Sequence, residues 1–226
     1  MLDRLYNFFR MRRAGAKALA AEDAFLSEVK GVIHIGAHRG AERHLYGALG
    51  LDVIWIEADP KMYAELTRNL SGYPRQRAVQ ALVADTDGQE VAFNVSSNRG
   101  ASSSMLAFKE HADLWPGVTM VEQRQLLTRR FETIVREEKI DLSLYDALVL
   151  DVQGAEMLVL DGIGDLIREF RILKLEAADF EAYDGGTRVD ALAAYVSARG
   201  FKERARIPFG GMTSDRKYYD LIVERV

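Results

Sequence analysis

The chain has 226 residues, of which 48% are hydrophobic and 28% charged, a composition typical of a globular protein with one α/β core. Its net charge of -4 gives no long-range attraction for nucleic acid, and its lack of cysteine excludes disulfides and thiolate metal sites. No apolar stretch approaches the length of a membrane span, and arginines interrupt the N-terminus where a secretion signal needs an apolar run. We therefore expect a soluble, cytoplasmic protein with no nucleic acid partner.

The first thirteen residues combine apolar and basic side chains. Such a segment either lies on a membrane surface or packs as a helix on its own domain or a partner subunit. Short segments of this kind are more often packing elements, so we favour docking, and a homodimer is one possibility. We assign residues 1–30 to an N-terminal helical segment and residues 31–226 to a single domain.

The first predicted strand, residues 31–35, runs into a turn that contains Gly36 and Gly40 and precedes a helical pattern at 41–49. A strand that delivers the chain into a glycine turn makes a nucleotide pocket. The next strand, residues 53–57, ends at the carboxylate of Glu57, about twenty residues after the first glycine. At this distance parallel-sheet proteins place an acid against a ribose diol. Two ends of one ligand site are thereby predicted.

The glycine spacing speaks against a dinucleotide. The dinucleotide fingerprint requires three glycines, whereas the corresponding positions here are Gly36, His38 and Ala41. A histidine at the second position obstructs a pyrophosphate but leaves room for a ligand without phosphates. S-adenosylmethionine fits better, and an NAD(P)-dependent oxidoreductase is the weaker alternative.

Farther along the chain, strand and helix patterns alternate, which favours a mostly parallel sheet. The helical patterns cover residues 60–70, 155–168 and 188–199, and the strand patterns cover residues 146–151 and 171–176.

The remaining strand patterns differ from this alternation. Residues 78–84 read as a strand that enters a turn at 85–88, and residues 90–95 alternate apolar and polar side chains, so we predict a hairpin. Residues 217–225 follow a helix and an irregular loop, which suits a final antiparallel strand.

Five ordered motifs together resemble the FkbM family of S-adenosylmethionine-dependent methyltransferases: residues 33–40, 55–60, 81–88, 150–156 and 200–201. The resemblance covers roughly residues 31–226. It implies an α/β, Rossmann-like class I methyltransferase fold with a mostly parallel seven-stranded sheet, a final antiparallel strand and helices on both faces. It also implies O-methylation of a small-molecule or glycan acceptor, such as a sugar or natural-product hydroxyl.

The resemblance also assigns the cofactor contacts. The glycine turn lies beneath the methionine portion, the acid that ends the second strand accepts the ribose hydroxyls, and Ala84 and Asp85 lie near the adenine. The full predicted set is His34, Gly36, Ala37, His38, Gly40, Glu57, Ala58, Ala84, Asp85, Asp151 and Gln153.

Several of these acids have a purely structural alternative. A helix cap is the weaker reading of Glu57, because Asp59 already precedes Pro60 and suits that task. Turn geometry alone explains Asp85 or Asp87 about as well as adenine binding does. Asp151 either belongs to the site or caps the helix that follows it, and its motif favours the site.

Two residues depart from the family pattern, and one of them is Val149, which stands where a lysine often precedes the motif at 150–156 in the family. The family usually has an acid two residues before the first glycine, where it lies next to the methionine portion, and this chain has His34. Whether that histidine contacts the cofactor or packs beside it is open. Because His34 replaces this acid, a second alternative is a catalytically inactive cofactor- or ligand-binding protein with the same fold.

Methyl transfer to an alcohol requires a group that takes its proton. Asp151 is the leading candidate, followed by His38 and His111. Magnesium ligands are conceivable at Asp151, Glu176 and Asp179, but no compact ligand motif exists, so we predict no metal. Acceptor contacts are expected from the serine-rich loop 96–104, the insertion 108–122 and the segment near 209–212.

Overall fold

The computed structural model describes residues 19–210 and 215–226, so the basic N-terminal segment predicted above lies outside the described residues. The ten strands of the described part are β1 Gly31–Ile35, β2 Asp52–Glu57, β3 Gln76–Gln80, β4 Leu82–Val83, β5 Glu90–Ser96, β6 Met120–Arg129, β7 Ala147–Leu150, β8 Ile172–Ala178, β9 Phe201–Phe209 and β10 Tyr218–Arg225. Its α-helices are α1 Arg43–Ala48, α2 Pro60–Asn69, α3 His111–Leu114, α4 Phe131–Glu137, α5 Glu156–Ile163 and α6 Val189–Ser197. Short 3-10 helices cover Ala21–Glu28, Leu142–Leu144 and Gly164–Glu169.

Seven strands form the main sheet in the order β3-β2-β1-β7-β8-β10-β9. The pairs from β3 to β8 are parallel, and β10 is antiparallel to both of its neighbours. The predicted α/β fold, with its mostly parallel sheet and final antiparallel strand, is therefore confirmed. This topology brings the carboxyl ends of β1, β2, β7 and β8 to one edge, where α/β proteins bind their ligands.

Both faces of the sheet are covered, because successive side chains of a strand point to opposite sides. In β1, Ile33 and Ile35 pack with α4, α5 and α6, whereas Val32 packs with α1, α2 and the 3-10 helix Ala21–Glu28. Each strand of the sheet centre is buried on both sides, which explains the unbroken apolar runs in the sequence. No helix in the described ranges is long and apolar enough to cross a membrane.

The predicted hairpin is wrong. The run at 78–84 divides at Ala81 into β3, on the edge of the main sheet, and β4, in a separate sheet of order β4-β6-β5. β5 pairs with β6 and not with β4. The turn between them serves α4 instead: the Asp87 carboxylate accepts bonds from Arg130 N (2.7 Å) and Thr133 Oγ1 (2.7 Å).

Sequence patterns also missed four strands and α-helices and misplaced two ends. β6, α3, α4 and β9 were not predicted, and β6 was hidden because it is exposed along much of its length. The helix predicted at 41–49 is limited to α1, and the helix predicted at 155–168 ends at Gly164, whose φ of +56° breaks it into α5 and a 3-10 helix.

Candidate active site

The turn after β1 packs directly against the end of β7. Gly36 has a φ of +86°, and a Cβ at this position would lie 1.9 Å from the Asp151 carbonyl oxygen. The N–H groups of Gly36 and Ala37 both donate to the Ile56 carbonyl, at 2.9 and 3.1 Å. Only glycine fits this position, and it joins the predicted cofactor turn to the predicted catalytic acid.

Glu57 links the two turns of the predicted cofactor pocket. Its Oε2 accepts a bond from the His38 N–H at 2.6 Å, and its Oε1 accepts one from the Asp59 N–H at 2.7 Å. Burial raises the pKa of this carboxyl to about 7, against the lowering effect of the backbone N–H groups of Asp59, His38 and Ala58. The carboxylate therefore fixes the shape of both turns.

The helix-cap alternative for Glu57 is excluded by its neighbour. Asp59 Oδ1 accepts bonds from Lys61 N (2.7 Å) and Met62 N (3.1 Å) and so caps α2. The Glu57 carboxylate has about four lone-pair sites, more than its backbone bonds occupy, and carboxylate oxygens accept hydroxyl donors readily. The hydrogen-bond acceptors at this turn thus fit the two hydroxyl donors of a ribose diol.

His34 lies in an aromatic cluster beneath α1. Its side chain is 5% exposed, its Nδ1 is 3.2 Å from the Tyr46 hydroxyl, and its ring stacks on Trp55 at 4.9 Å. These contacts lie on the α1 face of β1, opposite Ile33 and Ile35. Contact between His34 and the methionine end of a cofactor stays a prediction.

His38 joins the glycine turn to the serine-rich loop. Its Nε2 lies 2.8 Å from the Arg99 carbonyl oxygen, and because a carbonyl only accepts, we assign the ring proton to Nε2. Burial lowers the pKa of His38, which favours the neutral ring. The loop at 96–104 is therefore fastened to the turn that the sequence assigns to the cofactor.

The two aspartates after β4 differ in their surroundings. Asp87 holds α4, as described above, whereas Asp85 is exposed and contacts Thr86 Oγ1 at 3.3 Å. Ala84 is buried, and its carbonyl would lie 2.0 Å from a Cβ added at Gly162. The turn function therefore belongs to Asp87, and the adenine contact predicted for Ala84 and Asp85 stays a prediction.

Asp151 follows β7 and does not cap α5, whose cap residue Ala155 has no side-chain cap bond. Asp151 Oδ1 accepts a 2.6 Å bond from Gln153 Nε2, and that nitrogen also lies 3.2 Å from Glu176 Oε1. The Tyr183 hydroxyl donates to Gln153 Oε1 at 2.6 Å. Gln153, with a φ of +56°, thus connects two carboxylates at adjacent strand ends to a buried phenol.

A cleft opens beside Gln153, lined by Gln153, Gly154, Glu156, Glu176, Ala177, Ala178, Ala182, Tyr183, Gly186, Thr187 and Tyr218. His111 lies behind it. Its Nδ1 is 2.7 Å from the Tyr218 hydroxyl, its ring stacks on Tyr183 at 5.4 Å, and burial lowers its pKa to about 4. The histidine is therefore neutral near pH 7 and approaches the cleft through Tyr218.

Sequence reasoning missed Glu156, Tyr183 and Tyr218 as members of this cleft. Glu156 ends the motif at 150–156, five residues after Asp151, but no role was predicted for it. Nothing in the local sequence marks the tyrosines, because they reach the cleft from segments far along the chain. Asp179, weighed as a metal ligand, accepts bonds from Lys217 N (2.9 Å) and the Tyr219 hydroxyl (3.1 Å).

Comparison with known proteins confirms the family that the sequence motifs resemble. The family model described as the methyltransferase FkbM domain matches residues 34–203. The chain is 26% identical, over 162 residues, to the 2-O-methyltransferase NoeI of Sinorhizobium fredii (strain NBRC 101917 / NGR234). The match covers 68% of this chain and spans 65% of that relative's length.

Two solved structures are similar in fold. One is TrmK of M. capricolum in complex with S-adenosylhomocysteine, with a TM-score of 0.51 and 8% identity, covering 92% of this chain and 70% of that one. The other is magnesium protoporphyrin IX methyltransferase of Synechocystis PCC 6803 with bound S-adenosylhomocysteine, with a TM-score of 0.50 and 12% identity, covering 98% and 94%. At these identities the similarity shows the shared fold alone.

Proposed function

The chain belongs to the FkbM methyltransferase family, and on that premise we propose that it transfers a methyl group from S-adenosylmethionine to a hydroxyl oxygen of a sugar, glycan or natural product. The observation that carries the proposal is the contact between the two halves of the site. Gly36 lies against the backbone of Asp151, so the turn assigned to the cofactor and the acid assigned to the acceptor are adjacent. Such proximity is what a displacement between two bound molecules requires.

The residues that would hold the cofactor are those of the two linked turns. The turn from Gly36 to Gly40 would receive the methionine portion, and Glu57 would accept the ribose hydroxyls through its remaining lone pairs. Ala84 and Asp85 are proposed beside the adenine. S-adenosylmethionine, when bound, supplies an electrophilic methyl group.

Asp151 is proposed to orient the acceptor hydroxyl and to take its proton. Gln153 holds Oδ1 and thereby sets the plane of the carboxylate. The two histidines are poorer candidates: His38 uses Nε2 to bind the Arg99 carbonyl, and His111 lies behind Tyr218. Much of the remaining acceleration comes from alignment in a site shielded from water.

A small or glycan-borne acceptor is favoured over nucleic acid. The net charge is -4, whereas nucleic acid affinity depends on cations that neutralise phosphates. The related protein from Sinorhizobium is named a 2-O-methyltransferase, which supports an oxygen as the methyl acceptor.

Calorimetry with S-adenosylhomocysteine tests the cofactor half of this proposal. We expect Glu57→Ala to weaken binding by about tenfold, equivalent to about 1.4 kcal/mol. The partly exposed Glu138, which pairs with Arg77 at 3.1 Å, provides the control Glu138→Ala, for which we expect unchanged affinity. Since hydroxyl donors favour the ionised carboxylate, wild-type affinity should also fall as the pH drops below about 7. Absence of binding by the wild type would overturn the proposal, and unchanged affinity in Glu57→Ala would remove the ribose assignment.

A further inference from the structure

The cleft beside Gln153 has acids and phenols in its lining and no cation. Its side chains include Glu156, Glu176, Tyr183 and Tyr218, and none of the described residues that line it is lysine or arginine. The two carboxylates at its strand ends, those of Asp151 and Glu176, are bridged by the neutral amide of Gln153.

Two basic side chains of the surrounding segments pair with acids that do not line the cleft. Lys109 Nζ lies 2.9 Å from Glu181 Oε2. Arg216 pairs with Asp113 at 3.1 Å and with Glu110 at 3.3 Å. These segments therefore bring cations near the cleft without adding one to its lining.

Glu156 adds a neutral hydrogen-bonding group. It is wholly buried, and its Oε1 accepts bonds from the N–H groups of Val152 and Gly154, each at 3.2 Å. Its Oε2 is buried without a hydrogen-bond partner among the described residues. Burial raises the pKa of Glu156 to about 8, with Asp151 adding a smaller repulsion, so the carboxyl is mostly protonated at pH 7.

Such a lining suits hydroxyl groups and opposes anions. Carboxylate oxygens accept hydroxyl donors, and a tyrosine hydroxyl can both donate and accept a hydrogen bond. A second carboxylate or a phosphate would instead be desolvated beside like charges with no cation to compensate.

We propose that this cleft binds the acceptor as a polyhydroxyl ring without negative charge, and that it rejects rings bearing a carboxylate, sulfate or phosphate. The inference rests on the proposed function, whose acceptor it narrows to neutral or amino-bearing sugar rings. Glu176 is the specificity-determining residue, because its carboxylate is both a cleft-lining group and a partner of Gln153.

Binding to the protein loaded with S-adenosylhomocysteine tests the inference separately from methyl transfer. A panel of neutral methyl glycosides is titrated, and each glycoside that binds is compared with the uronate made by oxidising its primary alcohol and with its 6-phosphate. We expect the uronate and the phosphate to bind at least about 100-fold more weakly than the neutral ring.

Glu176→Gln removes one of the opposing charges, and it should reduce the neutral-to-uronate ratio to about tenfold or less. Glu138→Gln, at a surface ion pair outside the cleft lining, should leave the ratio unchanged. Equal or tighter binding of the uronate, failure of every neutral ring to bind, or a ratio insensitive to Glu176→Gln would overturn the inference. Selective binding of neutral rings without methyl transfer would support the inference and contradict the proposed function.

Discussion

The proposed cofactor side and the proposed acceptor side of the site are built in different ways. On the cofactor side, Glu57 bonds to His38, only 19 residues earlier in the chain, and the two residues lie at or just beyond the ends of adjacent strands. On the acceptor side, Tyr183 contacts Ser102 across 81 residues and His111 bonds to Tyr218 across 107. One side depends on backbone turns and the other on side chains collected from distant segments.

This difference has a physical consequence. A backbone turn tolerates few substitutions, because its shape depends on positive φ angles and on close approach of main chains. A cleft formed by side chains can change its lining while the sheet stays intact. We therefore expect cofactor-side substitutions to affect folding and binding, and acceptor-side substitutions to affect turnover, specificity and pH dependence.

The largest effect is expected from Gly36→Ala. The added Cβ would lie 1.9 Å from the Asp151 carbonyl oxygen in a residue with a φ of +86°, so β1 and β7 must separate. We expect the free energy of unfolding, measured by urea denaturation, to decrease by more than about 3 kcal/mol.

Gly200→Ala is the matched control for that substitution. Gly200 has a nearly equal φ of +89°, but nothing lies within 4 Å of an added Cβ. Gly200→Ala should lower the free energy of unfolding by only about 1–2 kcal/mol, because the positive φ alone disfavours alanine there. Equal losses in the two variants would show that the close approach of the two strand ends has no special importance.

Asp151→Asn should reduce kcat about 100-fold while the affinity for S-adenosylhomocysteine changes little, because the amide cannot take the acceptor proton. Steady-state kinetics with a methylated product readout measures the first quantity and calorimetry the second. Asp161→Asn alters an α5 acid that bonds to the Tyr195 hydroxyl and should leave both quantities near the wild-type values. A kcat within about threefold of the wild type in Asp151→Asn would contradict the role given to Asp151.

Glu156→Gln tests the buried acid of the acceptor side through stability. The pKa of Glu156 in the fold is about 8, above its ordinary value of 4.5, so its stabilising contribution is complete below about pH 4.5 and is lost as the pH rises to about 8. The variant keeps an oxygen at Oε1 and cannot ionise. The unfolding free energy of the wild type should decrease as the pH rises from about 5 to 8.5. The decrease in the variant should be smaller by at least about 1 kcal/mol.

Urea denaturation at several pH values measures this difference. Glu57 also has a raised pKa, but it is present in both proteins and its contribution cancels in the comparison. Identical pH profiles for the two proteins would mean that Glu156 is ionised in the fold at neutral pH.

The smallest effects are expected from substitutions of the two aspartates after β4, Asp85 and Asp87, and they distinguish the roles of the two residues. Asp85→Asn should weaken S-adenosylhomocysteine binding about threefold, as expected for loss of one exposed hydrogen bond. Asp87→Asn should leave that affinity unchanged and lower the unfolding free energy by about 1 kcal/mol, because Asp87 holds Arg130 N and Thr133 Oγ1 of α4. If Asp87→Asn weakened binding and Asp85→Asn did not, the adenine assignment would move to Asp87.

The sequence predicted the central strands and the glycine turn after β1 because both are local, whereas the cofactor contacts of that turn stay a prediction. An apolar run bounded by turn residues identifies β1, β2, β7 and β8, and the glycine positions and the acid at 57 lie within the same short segments. Asp87 shows the limit of such local reading: a turn typical of a hairpin served instead to hold α4, a choice that depends on packing with residues more than forty positions away.

The acceptor cleft was beyond sequence reasoning for the same reason. Tyr183 and Tyr218 enter it from loops and from β10, and their positions follow from the strand order of the sheet. β6 was missed because its exposed side chains lack a strong apolar pattern. His34 could be recognised as unusual in the sequence, but its stacking on Trp55 required the register between β1 and β2.

Methyl transfer from S-adenosylmethionine carrying an isotopic label on its methyl group tests the central claim most directly. The protein is incubated with the labelled donor and neutral glycosides, and the products are analysed by mass spectrometry and NMR. We predict a labelled methyl ether on a sugar oxygen, formed together with an equal amount of S-adenosylhomocysteine. Binding of the donor with no labelled product from any hydroxyl acceptor would contradict the account and favour a binding protein with a methyltransferase fold.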